Sequence, residues 1–186
     1  MNTVPKDFTP GDPTGRSKIK HNQVELGFAA NTFNDWQGLL DLMHKAFAQN
    51  VGKVDPPSTV YESTARSLKN RAERERLLLA YIGHKLVGCL FMRREEDELF
   101  LSRFAILPGL QGSGLARRMI TEAERVALQL GLASLTLEVR VELFANQQKF
   151  TSLGFDIVGG RSHSGFSRIT TLKMTKQTDV ASEPGE

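Results

Sequence analysis

The sequence predicts an α/β fold in which one mixed β-sheet is flanked by helices. Three observations predict it. The hydrophobic period switches from helical to alternating at Leu77 and stays alternating to Leu107, which reads as an antiparallel meander. A long amphipathic helix follows the meander and a further strand follows the helix, giving a strand–helix–strand crossover. No repeat and no linker interrupts the stretch from residue 23 to residue 175, so it reads as one domain.

Val24 to Ala30 is the first candidate strand. Thr32 or Asn34 can cap the helix that follows, with Asp35 in its first turn, because a side-chain oxygen there accepts from unpaired amides. Trp36, Leu39, Leu40, Met43 and Phe47 recur at helical spacing, and Asn50-Val51-Gly52 ends the run. After the stiff loop Asp55-Pro56-Pro57-Ser58, Thr59 and Glu62 have capping-box spacing, and Tyr61, Ala65, Leu68 and Ala72 define a second amphipathic helix. The meander strands are Leu77 to Ile82, Lys85 to Met92 and Leu99 to Leu107, with turns at Gly83-His84 and at the charged segment Arg93 to Asp97. Pro108 stops the third strand.

Ser113 to Leu130 is the clearest helix. Its apolar stripe runs through Leu115, Ala116, Met119, Ile120, Ala123, Val126, Ala127 and Leu130. Arg118 and Glu122 lie one turn apart on the polar side and are expected to pair; Gly131 closes the helix. Leu135, Leu137 and Val139 alternate with Thr136, Glu138 and Arg140 as a strand. A short helix from Leu143 to Leu153 and two strands, Phe155 to Val158 and Phe166 to Met174, complete the order. Residues 1–22 and 176–186 are expected to be an irregular arm and a disordered tail, since proline, glycine and charge dominate and no apolar period is present.

The 186 residues are 40% hydrophobic and 24% charged, close to a soluble globular average, and a chain of this length buries enough surface to need no disulfide. The single cysteine, Cys89, excludes an internal disulfide, a cysteine-based metal cluster and a CxxC redox pair, so no metal is expected. A net charge of +3 is small for a nucleic-acid binder and suits an anionic small ligand, so no nucleic-acid partner is expected. No apolar run is long enough to span a membrane, and the polar first 23 residues lack the core of a signal peptide, so a cytoplasmic location with no membrane partner is expected.

The most informative segment is Phe104-Ala105-Ile106-Leu107-Pro108-Gly109-Leu110-Gln111-Gly112-Ser113-Gly114-Leu115-Ala116, a strand, a glycine-rich turn and a helix start. The first amides of a helix lack intrahelical partners and carry partial positive charge, and glycine lets a ligand approach the backbone. Such a turn can bind phosphate, or it can be a turn that binds nothing. No Gly-Lys-Ser/Thr follows, which excludes a Walker A loop, and a third glycine is missing for a dinucleotide fingerprint.

The run Ile106-x-Pro108-x-x-Gln111-Gly112-x-Gly114-x-Ala116 resembles the acetyl-CoA signature of the GNAT N-acetyltransferase superfamily. Leu137-Glu138-Val139-Arg140 is similar to the next strand of that family and Phe150-x-x-x-Gly154-Phe155 to its closing helix and turn, so the likeness covers residues 24 to 174. It implies the GNAT acyl-CoA N-acyltransferase fold, a splayed mixed sheet flanked by helices, with acetyl-CoA as cosubstrate. Pantetheine would then run along Phe104, Ala105 and Ile106, and the amides of Gly112, Ser113, Gly114, Leu115, Ala116 and Arg117 would hold the pyrophosphate beside Gln111. The acceptor would be a small-molecule or peptide amine, and a homodimer is open.

Acetyl transfer needs a neutral amine, hence a base, and an acid that protonates the leaving thiolate helps. The resemblance makes Glu138 the candidate base; the same residue can instead be an ion-paired strand glutamate, with Arg140 as its partner. Many relatives carry a tyrosine acid where this chain has Phe150, and Leu143 replaces a common asparagine, with Asn146 as a nearby substitute. His163, in the loop Gly159 to Phe166, is a second acid–base candidate. Arg140, Glu142 and Arg161 could recognise a charged acceptor, while Asp55 to Ser58 and Tyr61 could shape its pocket. Two alternatives stay open: a non-catalytic acyl-CoA-binding module, for which Phe150 argues, and a general phosphate-binding domain.

Overall fold

The computed structural model describes residues 23–178; the expected arm, 1–22, and most of the expected tail lie outside them. The elements are β1 (Val24–Phe28), α1 (Trp36–Phe47), α2 (Ala65–Ala72), β2 (Arg76–Ile82), β3 (Lys85–Glu95), β4 (Glu98–Ile106), α3 (Leu115–Gln129), β5 (Ser134–Arg140), α4 (Phe144–Ser152), β6 (Asp156–Arg161) and β7 (Thr171–Gln177). Their order matches the expected one.

Local differences have local causes. Asp35 is the cap of α1, accepting from the Gly38 amide at 3.0 Å, where Thr32 or Asn34 was expected. The second helix is split. Thr59–Glu62 is a 3-10 turn capped by Ser58, and the capping box belongs to Thr64 and Ser67, which start α2. Glu122 pairs with Arg125 at 2.8 Å, and Arg118 donates to the Val24 carbonyl at 2.8 Å. Strand β7 starts at Thr171, not Phe166, because the Arg168 guanidinium packs over the Phe166 ring and reaches across to Asp55. It runs to Gln177, so Lys176 and Gln177 belong to the sheet and not to the tail. Strand β6 keeps Gly159 to Arg161, which shortens the predicted loop.

The seven strands lie in the order β1-β2-β3-β4-β5-β7-β6. All neighbours are antiparallel except β4 and β5, the two joined by the α3 crossover. Each face carries a core. Helix α3 buries Met119, Ile120, Ala123 and Val126 against Leu78, Leu90, Leu99, Leu101, Leu135 and Leu137. Helices α1 and α2 bury Leu39, Met43 and Leu68 against Leu77, Leu79, Cys89 and Phe91 on the opposite face.

The sheet is incomplete at its centre. Strands β4 and β5 pair over only four positions, from Glu98↔Ser134 to Leu101↔Leu137. Just beyond, the β3–β4 register slips by one residue between Cys89↔Ala105 and Phe91↔Ser102. The extra residue falls on β4, where Arg103 takes a left-handed φ of 51°. A bulge bends its strand, and β4 turns away from β5 there. The last residues of β4 therefore lack a strand partner on the β5 side.

Candidate active site

The turn after β4 is built around two left-handed glycines, Gly112 at φ 78° and Gly114 at φ 82°. A residue with a Cβ would be strained at either position. Pro108–Leu110 forms a 3-10 turn, Ser113 Oγ donates to the Leu110 carbonyl at 2.6 Å, and Gln111 Nε2 donates to the Ile106 carbonyl at 3.4 Å. Gly114 is the cap of α3, and among the described residues no side chain caps the first amides of that helix. Leu115, Ala116 and Arg117 thus present backbone N–H groups at the positive end of a 15-residue helix. The side chains of Leu115 and Ala116 are in the core, and that of Arg117 donates to the Ser152 carbonyl at 3.2 Å, so only their backbones are offered.

A cleft of about 920 Å³ opens where the strands part. Phe104, Ile106, Gln111 and Gly112 line one wall, and Glu138, Val139, Arg140, Asn146 and Phe150 the other. Ala105 is buried on the α1–α2 side, so it can contribute only backbone. The free edge of β4 leaves main-chain donors and acceptors facing this space, a template for an extended ligand to pair with. Phe150 packs between Phe104 (6.0 Å) and Phe155 (5.8 Å). It is an apolar wall with no proton to give.

Glu138 and His163 both line this cleft, on the side away from α3. Glu138 does point opposite Leu137 and Val139, and its partner is Arg161, not Arg140. Nε and Nη2 of Arg161 each donate to one carboxylate oxygen at 2.6 Å. This fork raises the guanidinium pKa. His163 is held at Nδ1 by the Thr170 hydroxyl at 2.6 Å, and its own amide donates to the same oxygen at 3.0 Å. Thr170 is fully buried, so the ring is anchored, and Nε2 has no hydrogen bond among the described residues. Desolvation, then the Arg140 and Arg161 guanidiniums, hold the imidazole below its ordinary range, against Glu138 and Glu142. His163 is therefore neutral at neutral pH, with one nitrogen available.

Three features escaped the sequence reading. Arg103 on the bulge enters the cleft, and a lone charge within the apolar run of β4 was its signal. Lys149 on α4 lines the cleft, and desolvation lowers its pKa. Thr170 orients His163, and no local pattern marks it. Of the pocket candidates, Pro57 and Ser58 line the cleft, Asp55 pairs with Arg168 at 3.0 Å, and Tyr61 stacks on His44. Cys89 is buried, and desolvation pushes its thiol up to about 12.

Among the described residues the mixed sheet splits at its one parallel pair, and an uncapped glycine-lined helix start lies at the split, the architecture of an acyltransferase fold. The chain belongs to the acetyltransferase (GNAT) family, whose model matches residues 36–155. Solved structures repeat the fold. The ribosomal-protein-S18-alanine N-acetyltransferase of Escherichia coli is 19% identical, with a TM-score of 0.65 over 88% of this chain and 99% of its own. The PaiA N-acetyltransferase of Thermoplasma acidophilum, solved with coenzyme A, is 16% identical, with a TM-score of 0.68 over 82% of this chain and 99% of its own. A spermidine N-acetyltransferase chimera of Vibrio cholerae SpeG and hSSAT is 19% identical, with a TM-score of 0.63 over 84% and 96%. No curated protein matches the chain.

Proposed function

We propose that the protein is an N-acetyltransferase that moves an acetyl group from acetyl-CoA to a primary amine by direct transfer in a ternary complex. The observation that carries this reading is the opening between β4 and β5, with an anion-binding helix start at one end and a neutral histidine at the other. The residues fit acyl-CoA. The amides of Gly112 to Arg117 suit a pyrophosphate, the free edge of Phe104 to Ile106 suits the pantetheine amides, and Phe150 and Asn146 flank the arm. When bound, acetyl-CoA supplies the activated acyl group.

The chain itself must deprotonate the acceptor, because an alkylamine is charged at neutral pH. His163 does this through Nε2, the Thr170 hydroxyl holding the ring. Glu138 is the second candidate, but both of its oxygens are occupied by Arg161, and it must release that fork to accept a proton. An exposed ion pair is worth about 0–1 kcal/mol, so release is not prohibitive. Direct transfer is supported by Cys89, whose buried, protonated thiol is a poor nucleophile. The missing acid is tolerable, since a thiolate leaves readily with a conjugate acid near pKa ~8.5.

The test is thiol release from acetyl-CoA across a panel of amines, beside calorimetry with CoA. Release with any amine is expected. CoA binding without release would favour the non-catalytic module, for which Phe150 is the supporting residue. Loss of both would sink the family activity for this chain.

A further inference from the structure

The cleft is cationic on the side away from the glycine turn. Among the described residues six basic side chains line it, Lys53, Arg71, Arg103, Arg140, Lys149 and Arg161, against the carboxylates of Glu138 and Glu142. Several of these charges are committed. Arg71 pairs with Glu75 at 2.9 Å, Arg161 holds Glu138 at 2.6 Å, and Glu142 takes Arg168 at 3.3 Å.

Arg103 and Arg140 are only partly matched, Arg103 by the neutral Thr59 hydroxyl and Arg140 by a carboxylate it shares with Arg168. They rise from the two strands that part, Arg103 from the bulge of β4 and Arg140 from the end of β5. Both side chains lie on the α1–α2 face. Arg103 reaches the Thr59 hydroxyl at 3.4 Å, and Arg140 alternates with Val139 of the α3-side core. The pyrophosphate site at α3 is on the opposite face and is not their partner. Nε of Arg103, and Nε and Nη2 of Arg140, are buried without a hydrogen bond among the described residues. Arg140 Nε forms an ion pair with Glu142 Oε2 at 3.7 Å, too long for a hydrogen bond, and Glu142 divides its charge between Arg140 and Arg168. Burial and the neighbouring Arg71 also disfavour the charged form of Arg103. Buried charged donors left unmatched are costly, and an oxyanion is the group that matches a guanidinium fork. With Arg71 held by Glu75, the cations Lys53, Arg103, Arg140, Lys149 and Arg161 outnumber the carboxylates Glu138 and Glu142, so the lining keeps an excess of positive charge that complements an anion. A polycation would meet repulsion here instead.

Resting on the acetyltransferase reading, we propose that the acceptor carries a carboxylate near its amine, gripped by Arg103 and Arg140 while the amine faces His163. Free amino acids or short peptides with an accessible carboxylate fit this site, and polyamines do not.

The experiment uses the full chain, acetyl-CoA and matched acceptors: amino acids and dipeptides, their carboxamides, phosphoethanolamine and spermidine. A hydrogen bond to a charged group predicts that acids exceed their amides by about 10- to 100-fold in kcat/KM. Arg140→Gln should raise the acceptor KM by a similar factor, leave the acetyl-CoA KM within about threefold and erase the acid-over-amide preference. Arg140→Lys, which keeps charge but not the fork, should recover part of it. Amides, phosphoethanolamine or spermidine serving as well as acids would overturn this inference and leave the transferase reading standing. A variant that only loses stability, with acceptor preference intact, would also overturn it. Silence with every acceptor, despite CoA binding, overturns the transferase reading and this inference with it.

Discussion

Replacing His163 by Asn tests the catalytic assignment most directly. The ring is fixed by the 2.6 Å contact to Thr170 and kept neutral by desolvation and by Arg140 and Arg161. A positioned general base contributes roughly 10²- to 10⁴-fold, or about 3–5.5 kcal/mol of barrier, and kcat/KM should fall by that factor. The wild-type acidic limb should lie below pH ~6.5, because the folded ring titrates below its ordinary value. The neighbours set the signs. Arg161 lowers the imidazole pKa, so Arg161→Gln should move the limb to higher pH. Glu138 raises it, so Glu138→Gln should move the limb to lower pH. In a cleft open to water each charge is worth ~0.5–1 kcal/mol, or about half a pH unit. The assay is thiol release from acetyl-CoA between about pH 5 and 9 with the amine well below its KM, so that the rate reads kcat/KM and the limb reads the free imidazole. If His163→Asn keeps its rate within about threefold and keeps the limb, while Glu138→Gln loses both, Glu138 is the base and the argument from the occupied carboxylate is wrong.

Gly114→Ala forces an L-residue into φ 82° and should cost about 1–2 kcal/mol, weakening CoA binding by roughly 5- to 30-fold in calorimetry. An unchanged affinity would remove the left-handed turn from the pyrophosphate site. Cys89 should resist alkylation in the native state. With its folded pKa raised to about 12, its stabilising contribution is complete below the unfolded pKa of 9.0 and is lost as pH rises through that window. The loss is up to about 1.4 kcal/mol per pH unit, seen as a falling urea midpoint that Cys89→Ala flattens. A flat wild-type profile from pH ~8 to ~10 would contradict this burial. Phe150→Tyr restores a hydroxyl at the position of the missing acid. Turnover should change by less than about tenfold, since the thiolate leaves without help; a larger gain would make thiolate protonation rate-limiting.

The elements were legible because each rests on a local pattern. The α3 stripe predicted from spacing is buried from Leu115 to Ala127, with Leu130 partly buried at the cap. The glycine turn was legible because left-handed φ is a demand on single residues. Capping was harder to read. Thr59 and Glu62 have the right spacing, but Thr64 and Ser67 hold the box, since several polar residues compete within one turn.

What the chain determined by itself is the set of elements, their order and the turn at α3, because these follow from period, caps and backbone freedom over a few residues. Only the tertiary structure decided the chemistry of the cleft. The Glu138–Arg161 fork joins residues 23 apart on two strands, and His163 owes its anchor to Thr170 across a loop. Arg103 meets the cleft through a one-residue slip against β3. Such contacts depend on register and on which strand lies beside which, and a pattern read along one segment contains neither.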